Sequence, residues 1–154
     1  WEDNMAIARG AGTEIIRSAH FEDVDNTVTK LIIGEQHHIY TVLSVVFFCE
    51  AIQAAGLYLR MYINGYDSKA GTTNQDIIIF ENTGQVAKDT FVFSDKFSFN
   101  GFEPTDFTGP MDDTTKQNAI ADQGSSVAQY LACQSEGAND NYEVTVTYID
   151  QNNA

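Results

Sequence analysis

Cysteine, proline and positive charge are all scarce in this sequence, and the shortages narrow what the chain can be. Two cysteines in 154 residues allow one disulfide at most. Cys49 closes one apolar run and Cys133 lies in another, Val127 to Cys133. Both read as buried strand positions, where a free thiol behaves as a small hydrophobe. A disulfide between them stays open, because its geometry is not legible in sequence, and a reducing folding compartment is the default expectation. A chain of this length buries roughly 70% of its unfolded surface, so its core requires neither disulfides nor metal. Asn-x-Ser/Thr sequons are absent.

Bases are fewer still. Eight Lys and Arg face 22 Asp and Glu, for a net charge of −14. Beyond Lys116 there is no base at all, while Asp122, Glu136, Asp140, Glu143 and Asp150 remain. Nucleic acids and anionic membranes bind through Lys and Arg, so neither is expected as a partner. The acidity reads first as a means of keeping a β-rich protein soluble, with attraction to a basic partner as the second reading. The longest apolar stretch, Ile39 to Cys49, is interrupted by Thr41 and Ser44 and falls well short of the roughly 20 residues of a spanning helix. No basic segment followed by an apolar one opens the chain, so no signal peptide is expected.

Catalytic motifs are missing as well. The chain has no G-x-S-x-G elbow, no H-E-x-x-H, no P-loop and no G-x-G-x-x-G, which leaves acyl transfer, zinc hydrolysis and nucleotide chemistry without a recognisable cradle. Neighbouring residues His37 and His38 on a strand would point to opposite faces and cannot both ligate one metal; His20 would have to join one of them. Glu22-Asp23-Val24-Asp25-Asn26 lacks the central Gly and distal Glu of an EF-hand and reads as a turn between strands. Asp67, Asp112 and Asp113 are loop acids first and calcium ligands second. No catalytic residue, no metal ligand and no cofactor is expected, and the protein is read as non-enzymatic.

What the chain does hold is strands. Glu14 to Phe21, Thr27 to Ile33, His37 to Glu50, Leu57 to Ile63, Asp76 to Phe80, Thr90 to Phe99, Val127 to Cys133 and Tyr142 to Ile149 are β-branched and aromatic. Leu57 to Ile63 alternates cleanly, with Tyr58, Arg60 and Tyr62 opposite the aliphatic residues, as a half-buried strand does. Asn64-Gly65 is the turn expected to end it. In His37 to Glu50 apolar residues fall on both alternating sets, which predicts a strand covered on two faces, at least in its second half. Tyr142, Val144, Val146 and Tyr148 share one face of the last strand. About eight strands in this length predict an all-β, antiparallel β-sandwich, jelly-roll or Ig-like, with a closed barrel second.

Three segments stand outside the strand rhythm. Residues 1–13 lack periodicity and carry Gly10 and Gly12, and are read as an extended N-terminal arm before a single sandwich domain, 14–154. Residues 103–126 hold both prolines, Pro104 and Pro110, and are read as a long loop, functional or disordered. The polar connection Asn64 to Gln75 is also read as loop. Tyr40, Tyr58, Tyr62, Phe80, Phe91, Phe93, Phe97, Phe99, Phe102 and Phe107 exceed what one small core needs. Phe102 and Phe107, beside the long loop, are expected at an interface, with core packing as the plainer reading for the set. Exposed aromatics also suit stacking on sugars, which keeps open a carbohydrate-binding or adhesin-like module of a fibre or spike.

The segments Glu35 to Ile63, DIIIFENTGQVAKDTFVFSDKFSFNG and SVAQYLACQSEGANDNYEVTVTYID, taken in order, resemble small virion structural proteins of tailed bacteriophages, head-decoration and cement proteins among them. The likeness spans roughly residues 35 to 150 and rests on the order of strands and turns. The segment 103–126 departs from the compact forms of that family. The resemblance implies a virion structural protein on the capsid surface, assembled in the host cytoplasm, with the major capsid protein as partner. It also implies a homo-oligomer, trimer or dimer. Ile7 and Arg9 in the arm are the apolar and cationic contacts expected to fold onto the capsid or a neighbouring subunit, together with Phe102 and Phe107.

Overall fold

The computed structural model describes residues 12–104 and 126–153. Among them the chain forms eleven strands and no helix. In order these are β1 (Thr13–Val24), β2 (Thr29–Ile33), β3 (His38–Ala51), β4 (Leu59–Asp67), β5 (Thr72–Asn82), β6 (Thr90–Phe93), β7 (Phe97–Asn100), β8 (Phe102–Pro104), β9 (Ser126–Ala128), β10 (Tyr130–Ser135) and β11 (Asn141–Asn152). One sheet runs β1-β11-β3, with β6 and β7 end to end along the far edge of β3; the other runs β2-β10-β4-β5, and β8 and β9 form a separate ribbon. Every pairing is antiparallel. The chain passes from sheet to sheet at β1, β2 and β3, stays in the second sheet for the β4–β5 hairpin, and crosses back for β6–β7 before β10 and β11. This winding makes the two-sheet sandwich a jelly roll and not an Ig-like one.

The core lies between the sheets. Val42, Val45, Phe47 and Cys49 of β3 and Val144 and Val146 of β11 face Leu59 and Met61 of β4 and Leu131 and Cys133 of β10, all at most 1% exposed. Each large side chain buried this fully contributes about 1.5–3 kcal/mol. Cys49 and Cys133 are buried and free. Burial pushes the Cys133 thiol up to about 12.

Several strand expectations need correction. Apolar residues fall on both alternating sets of β3 in part because Leu43 is an extra residue: Thr147 pairs with Ser44 but Tyr148 pairs with Val42, while Val46 and Phe48 beyond it lie half-buried on the outer face. This bulge switches the inward set from Tyr40 and Val42 to Val45, Phe47 and Cys49, since one added residue flips every side chain after it. The strand therefore has one core face, not two. Asn64-Gly65 is not a turn; β4 continues through it to Asp67. The reversal comes at Asp67–Gly71, where the Asp67 carboxylate accepts from the Lys69 and Ala70 amides at 2.9 and 3.2 Å and Gly71 adopts φ 72°. The connection expected from Asn64 to Gln75 is thus mostly strand. Thr90 to Phe99 divides at Ser94-Asp95-Lys96 into two strands. The shoulders of the expected loop 103–126 are zipped together, with Glu103 opposite Val127 and Pro104 opposite Ser126.

Candidate functional site: the sheet edges

A sandwich, unlike a barrel, leaves each sheet with two edges whose N–H and C=O groups are unpaired on one side. Here β1 and β2 lie at one side of the molecule, and β5 and the β6–β7 pair at the other. The second side is closed internally by aromatics. Phe80 of β5 packs against Phe91 and Phe93 at 5.1 and 5.3 Å between ring centres, and against Phe47 at 5.3 Å; Phe97 continues the stack from Phe93 at 6.0 Å. Four of the ten aromatics that seemed surplus to one core are spent here as packing, and Tyr40, Tyr62 and Phe99 are buried elsewhere.

The outermost strands carry the exposed apolar surface. In β5, the eight residues Thr72 to Ile79 contain one charge, Asp76, and no Lys or Pro. Ile77 and Ile78 are 39% and 45% exposed. In β1, Ile15 and Ile16 are 41% and 71% exposed, and Ile33 at the end of β2 is 66% exposed. Natural edge strands are normally blunted by Lys, Pro, inward charges or bulges; much of β5 and the start of β1 lack the first three, although β5 is bulged where Ile79 and Asn74 break its register with β4. The run Ile77-Ile78-Ile79 was the readable signal, because three consecutive β-branched residues put apolar surface on both faces of a strand.

Elsewhere on the edges, polar groups are satisfied within the sheet. Arg60 clamps Glu81 of β5 at 2.9 and 2.6 Å through Nε and Nη2, and Asn64 donates to Asp76 at 2.9 Å. Lys88 pairs with Glu50 and holds that carboxyl below its ordinary range.

The residues singled out in the sequence do not converge. Phe102 is half-buried in β8, pairing with Ala128; Ile7, Arg9 and Phe107 lie outside the described residues. His20 sits on β1 with Nδ1 2.9 Å from Thr145 Oγ1. His37 occupies a turn at φ 66°, and His38 points inward to Asp150. Among the described residues no group of three or more His, Cys, Asp and Glu is placed to hold a metal, and no helix is long and apolar enough to cross a membrane. Of the Glu22 to Asn26 stretch, expected as a turn, Glu22 to Val24 finish β1 and only Asp25 and Asn26 enter the turn: Asp25 accepts from the Thr27 amide at 2.8 Å, and Asp23 from the Asn141 side chain at 3.1 Å.

No family model matches the chain. No curated protein matches it either. Among solved structures, a protein of Bacillus endospore appendages, from "a novel family of disulfide-linked pili", is similar at 12% identity and a TM-score of 0.39, covering 99% of this chain and 100% of that one. A likeness this distant says nothing about activity.

The edges remain the surfaces on which this molecule departs most from an ordinary soluble monomer. They offer main-chain hydrogen bonding and β-branched side chains together, the two elements of recognition by strand addition.

Proposed function

We propose that this chain is a non-enzymatic structural protein that works in many copies, joining a larger protein assembly through its sheet edges. The observation that carries the reading is the apolar, weakly charged β5 edge, with Ile77 and Ile78 exposed and one charge in eight residues. Leaving such an edge open costs solubility, and a surface of net charge −14 offsets that cost for the free subunit. The jelly roll is a frequent architecture of viral capsid and lectin domains, which agrees with the reading without establishing it.

In its narrower form the proposal is capsid decoration. Homo-oligomers, dimers or trimers, bind the outside of a phage capsid, with the major capsid protein as partner, and stabilise the shell by mass action. Weak single contacts become firm through their number. Ile7 and Arg9 of the arm, with Phe102 and Phe107, are the contacts this form assigns.

Light scattering and co-sedimentation with particles test it. The general reading expects concentration-dependent self-association or capture by an assembled shell. A protein that stays monomeric at high concentration and ignores every particle offered overturns it. Deleting residues 1–13 is expected to abolish particle association and leave the domain folded; undiminished binding refutes the arm's assignment.

A further inference from the structure

Between β1 and β2 the two sheets part, and a cleft of about 290 Å³ opens into the sandwich. That is about ten water molecules' worth of space at ~30 Å³ each, room for one compact ring but not for a chain. The cleft lies where the inner face of β11 changes character: Val144 and Val146 give way to Tyr148 and Asp150.

Its walls are chemically divided. One is apolar, made by Ala19 and Phe21 of β1 and Leu31 and Ile32 of β2. The other is polar, with Glu35, Tyr40, Tyr148 and Asp150. Asp150, 5% exposed, accepts from His38 Nδ1 at 2.6 Å, and Glu35 lies 3.6 Å from the other nitrogen of the same ring. The acids of the cleft therefore already share a partner.

Its cation does not. The Arg17 guanidinium lies over the Tyr148 ring, 5.8 Å from its centre, and among the described residues no carboxylate comes within ion-pair distance of it. Lys30, also lining the cleft, sits over the Tyr130 ring at 4.4 Å, likewise without an acid partner among the described residues.

We propose that this cleft binds a sugar acid, with the carboxylate on Arg17. A guanidinium is the group best shaped to hold a carboxylate. The acceptor-rich wall suits ring hydroxyls, which carry the donors that Glu35 and Asp150 lack. The opposite wall of Ala19, Phe21 and Ile32 suits the C–H face of a pyranose. This site is separate from the assembly reading, and either can fail alone.

Titration calorimetry and ligand-observed NMR on the full chain, using glucuronate as the probe, test the proposal. Glucuronate is expected to bind, and glucose, its neutral counterpart, to bind at least tenfold more weakly. Arg17→Met keeps the apolar stem and is expected to weaken glucuronate at least tenfold with no change in melting temperature. Arg17→Lys is expected to recover part of the loss, and Lys96→Met, a base between β6 and β7, to change nothing. Equal binding of glucose, or unchanged binding by Arg17→Met, overturns the carboxylate assignment. Butyrate binding as tightly as glucuronate overturns the sugar. No binding of any of the three overturns the site.

Discussion

Gly34 and Gly101 meet backbone to backbone: a Cβ on Gly34 would stand 2.3 Å from the carbonyl oxygen of Gly101, and one on Gly101 2.0 Å from that of Glu35. Gln129 ties them together, its carbonyl accepting from the Gly34 amide and its own amide donating to Gly101, both at 2.8 Å. Its side chain, 6% exposed, donates to the Asn100 carbonyl at 2.9 Å. The end of β2, the start of β8 and the start of β10 are thus pinned at one point.

Gly101→Ala should cost about 1–3 kcal/mol, as overpacking against backbone does. Gly56, at φ 84° with nothing within 4 Å of a built Cβ, isolates the conformational part. Gly56→Ala should cost about 1 kcal/mol from the left-handed backbone alone. Urea titrations compare the two; equal losses would mean that the junction relaxes freely.

The turn between β10 and β11 hangs on Asp140. Its carboxylate, in a residue 4% exposed, accepts from the Gln53 amide at 2.7 Å and the Gly137 amide at 3.0 Å. Asp140→Ala leaves both donors without this partner and should destabilise by about 2–3 kcal/mol. Asp140→Asn keeps the shape but can satisfy only one of them, and should fall between. Thermal melts of the three proteins check the order.

Phe47→Ala should cost about 3–5 kcal/mol, since Phe47 is 1% exposed and holds Phe80 and Phe91 at 5.3 and 6.1 Å. Val92→Ala, at a side chain 50% exposed on β6, should stay within about 0.5 kcal/mol. Chemical denaturation separates them.

Alkali should unfold this protein early. Burial raises Tyr40 and Tyr62 from 10.0 to about 12, and Cys133 from 9.0 to about 12. Each group stays neutral in the folded state where the unfolded chain already ionises. The stability they contribute is complete below pH 9, where the unfolded Cys begins to titrate, and is lost as pH rises toward 12. Melting temperature against pH should be flat near neutrality with respect to these groups and fall steeply over that window. In the native state Cys133 should resist a thiol reagent at neutral pH and react once the chain is unfolded.

If the β5 edge mediates assembly, Ile78→Lys should lower self-association in light scattering while moving the melting temperature little, because Ile78 is 45% exposed. A charge there is how natural sheets guard an edge. Unchanged association would exclude this edge as the contact.

The strands were legible because a strand's side-chain period is local. Tyr142 to Tyr148 and Leu59 to Ile63 alternate within a few residues, and the core follows from that alternation. Scarce prolines and clusters of Gly, Asn and Asp set most of the breaks. The sequence by itself therefore determined an all-β chain of about eight strands with its main core residues. What only the tertiary structure decided depends on residues far apart in the chain. The phase switch at Leu43 exists because Thr147 and Tyr148 of β11 pair across it. Gly65 reads as a turn until the Gln129 side chain is found where its Cβ would be, 2.1 Å away at the nearest atom. The jelly-roll winding, the exposed isoleucines of the edges and the cleft at Arg17 likewise follow from which strands become neighbours, and that choice belongs to long-range packing, not to any local run of residues.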